Sequence, residues 1–143
     1  MRLVLDTNVV VSAMLWGGRP RLLLDAARAG PVRLFTSATL LAELDETLRY
    51  PKFRGKIDAS HLAIEQLVAL YAGLATVVRP APIEPVILAD PDDDAVLACA
   101  LAARAACIVS GDSHLLNLGA WRGIEVLSVQ AALRRLDESS ERC

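Results

Sequence analysis

Aromatic side chains are scarce in this chain, two each of Trp, Tyr and Phe among 143 residues, so its core has to be built from Leu, Ala and Val. No stretch of eighteen apolar residues runs without a charge, and the opening fifteen residues lack a basic start and carry Asp6 inside the apolar run. Neither a membrane span nor a signal peptide is expected. Cys99, Cys107 and Cys143 are odd in number and lack the paired spacing of a zinc site or a disulfide framework, which makes a reducing cytoplasm the expected home. Histidine occurs only at His61 and His114, and lysine only at Lys52 and Lys56.

Hydrophobic residues make up 54% of the chain against 22% charged, the balance of a folded globular protein. A chain of this length suits one domain, residues 1–143, burying about two thirds of its unfolded surface in one core. Net charge is −2, from 15 basic and 17 acidic residues, which at first opposes a nucleic-acid partner. Setting four acids aside around metal ions leaves 13 against 15 bases, a weakly basic outer face. Arg19 and Arg21, then Arg49, Lys52, Arg54 and Lys56, form two short basic stretches able to track a phosphate backbone, or simply a solvated loop and helix start.

Leu3-Val4-Leu5 is a short apolar run suited to a strand covered on both faces of a parallel sheet. A helix from Val9 to Met14 and a turn at Trp16-Gly17-Gly18-Arg19-Pro20 follow, with Pro20 suited to a helix's first position. Leu22 to Ala27 form a helix stopped by Gly30-Pro31; Arg33 to Ser37 are a second strand, and residues 38–49 a helix ended by Pro51. Residues 51–58 read as a polar, basic connection, and Ser60 as the start of a helix to about Leu74. Ala75–Val78 is a third strand, and three prolines stiffen residues 79–85 before Val86-Ile87-Leu88. An Ala-rich helix from about Asp92 to Arg104, a fourth strand Ala106–Val109, a helical turn His114–Leu118, a fifth strand Ile124–Leu127 and a closing helix Val129–Leu136 complete the chain. The alternation predicts a three-layer α/β/α fold with a central, mostly parallel sheet of about five strands.

Ligands of open parallel sheets sit outside the carboxyl ends of the strands, and Asp6 and Asp112 both end apolar strands. Asp6 is equally suited to capping the helix that follows it. Asp90-Pro91-Asp92-Asp93-Asp94 places four carboxylates within five residues at a helix start, more than capping needs. Two such charges about 4 Å apart repel by about 4 kcal/mol at an effective dielectric near 20, a penalty that a bound cation removes. Asp94, opening the apolar stretch, is the best ligand of the run; Asp92 is next, as a cap or second-metal ligand, and Asp90 and Asp93 are expected in solvent. On a helical wheel centred on Leu44, Glu43 and Asp45 lie at opposite borders of the apolar stripe, and position alone does not choose between them. Carboxylate oxygens with two unpaired histidines favour magnesium or manganese over zinc. Asn8 and Ser110 are placed to orient ligands, and His114 is either a proton shuttle or an ordinary surface histidine.

Val4-Leu5-Asp6-Thr7-Asn8-Val9, Glu43 after the second strand, Asp92-Asp93-Asp94-Ala95-Val96-Leu97-Ala98 and Ile108-Val109-Ser110-Gly111-Asp112 together resemble the motifs of PIN-domain ribonucleases. Ser12-Ala13-Met14-Leu15-Trp16-Gly17-Gly18 and Leu115-Leu116 are similar to a bacterial branch described as toxin components of toxin-antitoxin pairs. The resemblance implies that Asp6, Glu43, Asp94 and Asp112 bind Mg2+ or Mn2+, with Ser110 where the family more often has Thr. It further implies hydrolysis of RNA phosphodiester bonds, often in structured RNA such as tRNA, by a homodimer neutralised by an antitoxin. The alternative is a catalytically inactive PIN-like module that binds RNA or a protein. A phosphatase of similar fold wants a second Asp where Asn8 stands, a response regulator wants a strand-end lysine, and a dinucleotide site wants a glycine-rich first turn; the chain offers none of these.

Overall fold

A computed structural model describes residues 1–84 and 91–141, with the side chains of residues 91, 92 and 139–141 outside the description. One sheet organises the chain: β1 (Arg2–Leu5), β2 (Arg33–Thr36), β3 (Thr76–Val77), β4 (Cys107–Val109), β5 (Ala120–Trp121) and β6 (Ile124–Leu127), in the order β3-β2-β1-β4-β6-β5. Every neighbouring pair is parallel except the β5–β6 edge hairpin. The expected five strands therefore gain a sixth. Its two residues, Ala120 and Trp121, fold back on Glu125 and Ile124 through the turn at Arg122-Gly123, both with positive φ.

Strand alternation divides the core in two. Leu3, Leu5, Leu34, Cys107 and Val109 pack toward α1 (Thr7–Leu15), α2 (Gly18–Ala29), α3 (Ala38–Leu48), α5 (Ile64–Leu74) and α8 (Val129–Glu141). Val4, Phe35, Ile108 and Val126 pack toward α6 (Pro91–Ala103) and α7 (Ser113–Leu118). Residues one apart on a strand thus feed opposite layers, which is why the central strands read as unbroken apolar runs. This is the expected α/β/α architecture. Among the described residues no helix is long and apolar enough to cross a membrane.

Two expected boundaries move. The basic connection at 51–58 is helical, a 3-10 turn at Pro51–Phe53 running into α4 (Arg54–Ser60). Phe53 is 8% exposed and anchors this segment in the core, so one buried aromatic side chain outweighs the polarity of its neighbours. Ser60 ends that helix, and α5 starts at Ile64 after His61 turns the chain with φ of 60°. Pro20 stands third in α2, where its missing N–H is still one that the helix leaves unbonded. Val86-Ile87-Leu88 lie outside the described residues.

Candidate functional site

β1 is followed along the chain by β2 and β3 on one side, and only later by β4 on the other. The strand order therefore reverses between β1 and β4, the position where open parallel sheets bind ligands. Leu5 is in register with Val109, so the next residues, Asp6 and Ser110, emerge side by side at the carboxyl edge. The Asp6 amide bonds the Val109 carbonyl at 2.9 Å and extends the ladder one step into this edge.

Three helices begin here, each capped by the residue before it. Asp6 Oδ1 accepts the Thr7 amide at 2.8 Å, Ser37 Oγ accepts the Leu40 amide at 3.2 Å, and Asp112 Oδ1 accepts the His114 and Leu115 amides at 2.8 and 3.3 Å. Capping and site-building are thus not alternatives for Asp6 and Asp112. The capping bond fixes the carboxylate's direction, and the positive helix N-terminus stabilises its charge.

Two of these caps, Asp6 and Asp112, are tied together by a hydroxyl. Ser110, fully buried, donates to Asp6 Oδ2 at 2.8 Å and accepts the Asp112 amide at 2.9 Å. On the other flank the Thr7 hydroxyl donates to Glu43 Oε2 at 2.8 Å. Glu43 is thereby placed beside the start of α1. Asp45 instead pairs with Arg49 along the outer side of α3, at 2.8 Å, and Glu46 is exposed. Packing of α3 against α1 thus sets Glu43, and not Asp45, beside the carboxyl edge of the sheet.

Asp93 is the correction. Expected in solvent, it is 6% exposed, whereas Asp94 is half-buried. Candidate ligand atoms of Asp93, Asp112 and His114 lie within 4.8 Å of one another, the one such trio among the described residues. His114 Nδ1 stands 3.5 Å from Asp112 Oδ1. The helix begins at Pro91, one residue before the expected Asp92, and Asp93 lies on the face carrying Val96, Leu97 and Ala100, all essentially inaccessible. That i+3, i+4, i+7 pattern was readable in the sequence and favours Asp93, since the residue seven after Asp94 is the half-buried Leu101. The side chain of Asp92 lies outside the described residues, as does Asp90.

The remaining expected residues divide by distance from this edge. Asn8 is exposed in the first turn of α1. Arg19, Arg21, Lys52, Arg54 and Lys56 are on α2, the 3-10 turn and α4, and all five are exposed. Arg49 is held by Asp45 and Glu65, whose carboxylates raise its pKa above the ordinary arginine value.

The donor set suits a divalent cation. Carboxylate oxygens dominate, the donor type that magnesium and manganese prefer. A profile of the family described as PIN domain matches residues 2–114, a span from β1 through the first residues of α7 that takes in Asp6, Glu43, Asp93, Asp94, Asp112 and His114. A search of curated proteins finds no match to the chain.

Proposed function

From the chain's membership of the PIN-domain family, whose members are generally metal-dependent nucleases, we propose that it is a magnesium- or manganese-dependent endoribonuclease, the toxin of a toxin-antitoxin pair. The observation that carries the nuclease reading is the line Glu43–Thr7–Asp6–Ser110–Asp112, which gathers acids from three segments at the sheet's switch point. A capping role alone needs no such convergence.

In this reading Asp6, Glu43, Asp93 and Asp112 hold the ions, with Asp94 beside them and Asp92 as a further donor. Bound there, a divalent ion lowers the pKa of a water and offsets charge on the phosphate in phosphodiester hydrolysis. Ser110 and Thr7 keep the Asp6 and Glu43 carboxylates from rotating away when the site is empty. In the same reading His114, whose Nδ1 stands 3.5 Å from Asp112 Oδ1, serves as a proton shuttle at the acid edge.

The exposed cations on α2 and α4 serve the RNA backbone, and a structured RNA such as tRNA is the proposed substrate. A homodimer, a cognate antitoxin and a cytoplasmic setting belong to the same proposal, supported by the Trp16-Gly17-Gly18 and Leu115-Leu116 resemblance and by the buried thiols of Cys99 and Cys107. The test is incubation of the purified chain with single-stranded RNA and tRNA, with manganese, magnesium or excess chelator. Cleavage confined to the metal-containing arms supports the nuclease. No cleavage in any arm, with RNA bound, returns the inactive RNA-binding module.

A further inference from the structure

Three of the six aromatic residues meet at one place on the surface, together with both lysines of the chain. Trp16 closes α1 and packs edge-on against Phe53, ring centroids 5.6 Å apart. Tyr50, beyond the end of α3, lies nearly parallel to Phe53 at 6.5 Å, tilted by 12°. Phe53 is buried, but Trp16 remains 53% and Tyr50 46% exposed. The Lys52 ammonium lies 5.1 Å from the Phe53 ring centre and the Lys56 ammonium 5.4 Å from that of Trp16. Residues 50–60 carry Lys52, Arg54 and Lys56 against the single acid Asp58.

Anchoring Phe53 explains one buried ring and not two half-exposed ones. A chain this poor in aromatics leaves Trp16 and Tyr50 in water beside cations, the composition of a surface on which unpaired bases stack while their phosphates meet ammonium groups. The Tyr50 ring is nearly parallel to Phe53 and close to half exposed, so a base that stacks on its exposed side continues the array. We infer that Trp16, Tyr50 and the Lys52–Lys56 cations form a stacking platform for single-stranded RNA, separate from the acid edge. The inference rests on the nucleic-acid reading above and deepens it: the substrate reaches the acids with unpaired bases. α1, nine residues and about 14 Å long, joins the platform at Trp16 to the site at Asp6, so one short strand spans both. A duplex hides the base faces and keeps only the phosphate contacts.

The test reads binding in chelator, so that cleavage plays no part. In a Trp121→Phe background Trp16 is the sole tryptophan, and its fluorescence is followed on adding a twelve-nucleotide single-stranded RNA, an abasic strand of equal length, or an RNA duplex. The single strand is expected to quench Trp16, and the abasic strand and duplex to leave it bright. Tyr50→Ala should weaken single-strand binding about tenfold and Tyr50→Phe less than twofold, while abasic-strand binding and the melting temperature of Tyr50→Ala stay with the parent, which a folding defect would not allow. Lys52→Gln with Lys56→Gln should weaken single and abasic strands alike and flatten the salt dependence. Equal quenching by the abasic strand, or indifference to Tyr50→Ala, overturns the platform. So does a Trp16 signal that changes with protein concentration alone while sedimentation shows a dimer, since the face is then a protein interface. Quenching without cleavage in manganese leaves the platform standing and removes the nuclease; cleavage without quenching does the reverse.

Discussion

Ser110 and Asp6 share a hydrogen bond of 2.8 Å across 104 positions of sequence, and the same hydroxyl accepts the Asp112 amide. One small buried side chain therefore sets the spacing of two carboxylate-bearing strand ends. Ser110→Ala should cost about 1–3 kcal/mol, because it leaves a buried carboxylate oxygen and an amide without this partner. Ser110→Thr restores the hydroxyl and should recover most of the melting temperature and of the manganese affinity. An alanine variant that melts and binds manganese like the parent would show that the hydroxyl positions nothing.

Asp6→Asn isolates charge from shape. Asn is as good a helix cap as Asp, so α1 should still start at Thr7 and thermal stability should change by less than about 1 kcal/mol. Metal-dependent RNA cleavage should disappear, because the amide is a poor ligand for a hard cation. Retained cleavage by the Asn variant, or cleavage by the parent in excess chelator, removes Asp6 and the metal from the reaction.

Among the acids of α3, Glu43→Gln should lower cleavage at least a hundredfold, while Asp45→Asn and Glu46→Gln leave it within about twofold. Glu43 faces the Thr7 hydroxyl, whereas Asp45 faces Arg49 in an exposed pair that solvent screens. Equal rates for all three variants would dismiss Glu43 from the site.

Burial alone governs the Cys99 thiol, whose pKa is pushed up to about 12 from an ordinary 9. In a Cys143→Ser background, thiol reagents at pH 8 should leave the folded protein unlabelled, since Cys99 and Cys107 are both buried. The raised pKa also sets a sign. Its contribution to stability is intact below pH 9 and is lost as the pH climbs toward 12, because the unfolded chain ionises first. Rapid labelling at pH 8 without unfolding would contradict the packing of α6 against the sheet.

The sheet and its layers were legible because the central strands carry short unbroken apolar runs between sharp breaks, as in Leu3-Val4-Leu5 between Arg2 and Asp6. Asp6 and Asp112 were legible for the same reason, each being the first charge after such a run. What escaped depends on tertiary contacts. The helix at Arg54–Ser60 is held by Phe53 reaching the core, and no local pattern announces it. Glu43 and Asp45 differ only in which helix lies alongside. Asp93 was expected in solvent because the acids were weighed by their place before the apolar residues and not by helical face, although the buried stripe through Val96, Leu97 and Ala100 points back to it.

That misplacement yields the sharpest discrimination between two adjacent acids. Asp93 shares a 4.8 Å cluster with Asp112 and His114, and Asp94 does not. In chelator Asp93→Asn relieves repulsion against Asp112, worth on the order of 1 kcal/mol after screening, and should raise the melting temperature by a few degrees. Manganese should reverse the order. The parent gains about 2.7 kcal/mol when the ion stands at a hundred times its dissociation constant, and a variant with one ligand fewer gains less. Asp94→Asn, one position round the helix, should follow the parent in both media if Asp93 is the ligand, and should take over both effects if the family resemblance numbers the motif correctly. Melts of the three proteins in chelator and in millimolar manganese separate the outcomes. A difference between parent and both variants that ignores metal would confine the two acids to the electrostatics of the α6 N-terminus, where losing either costs roughly 0.3–1 kcal/mol and no ion restores it.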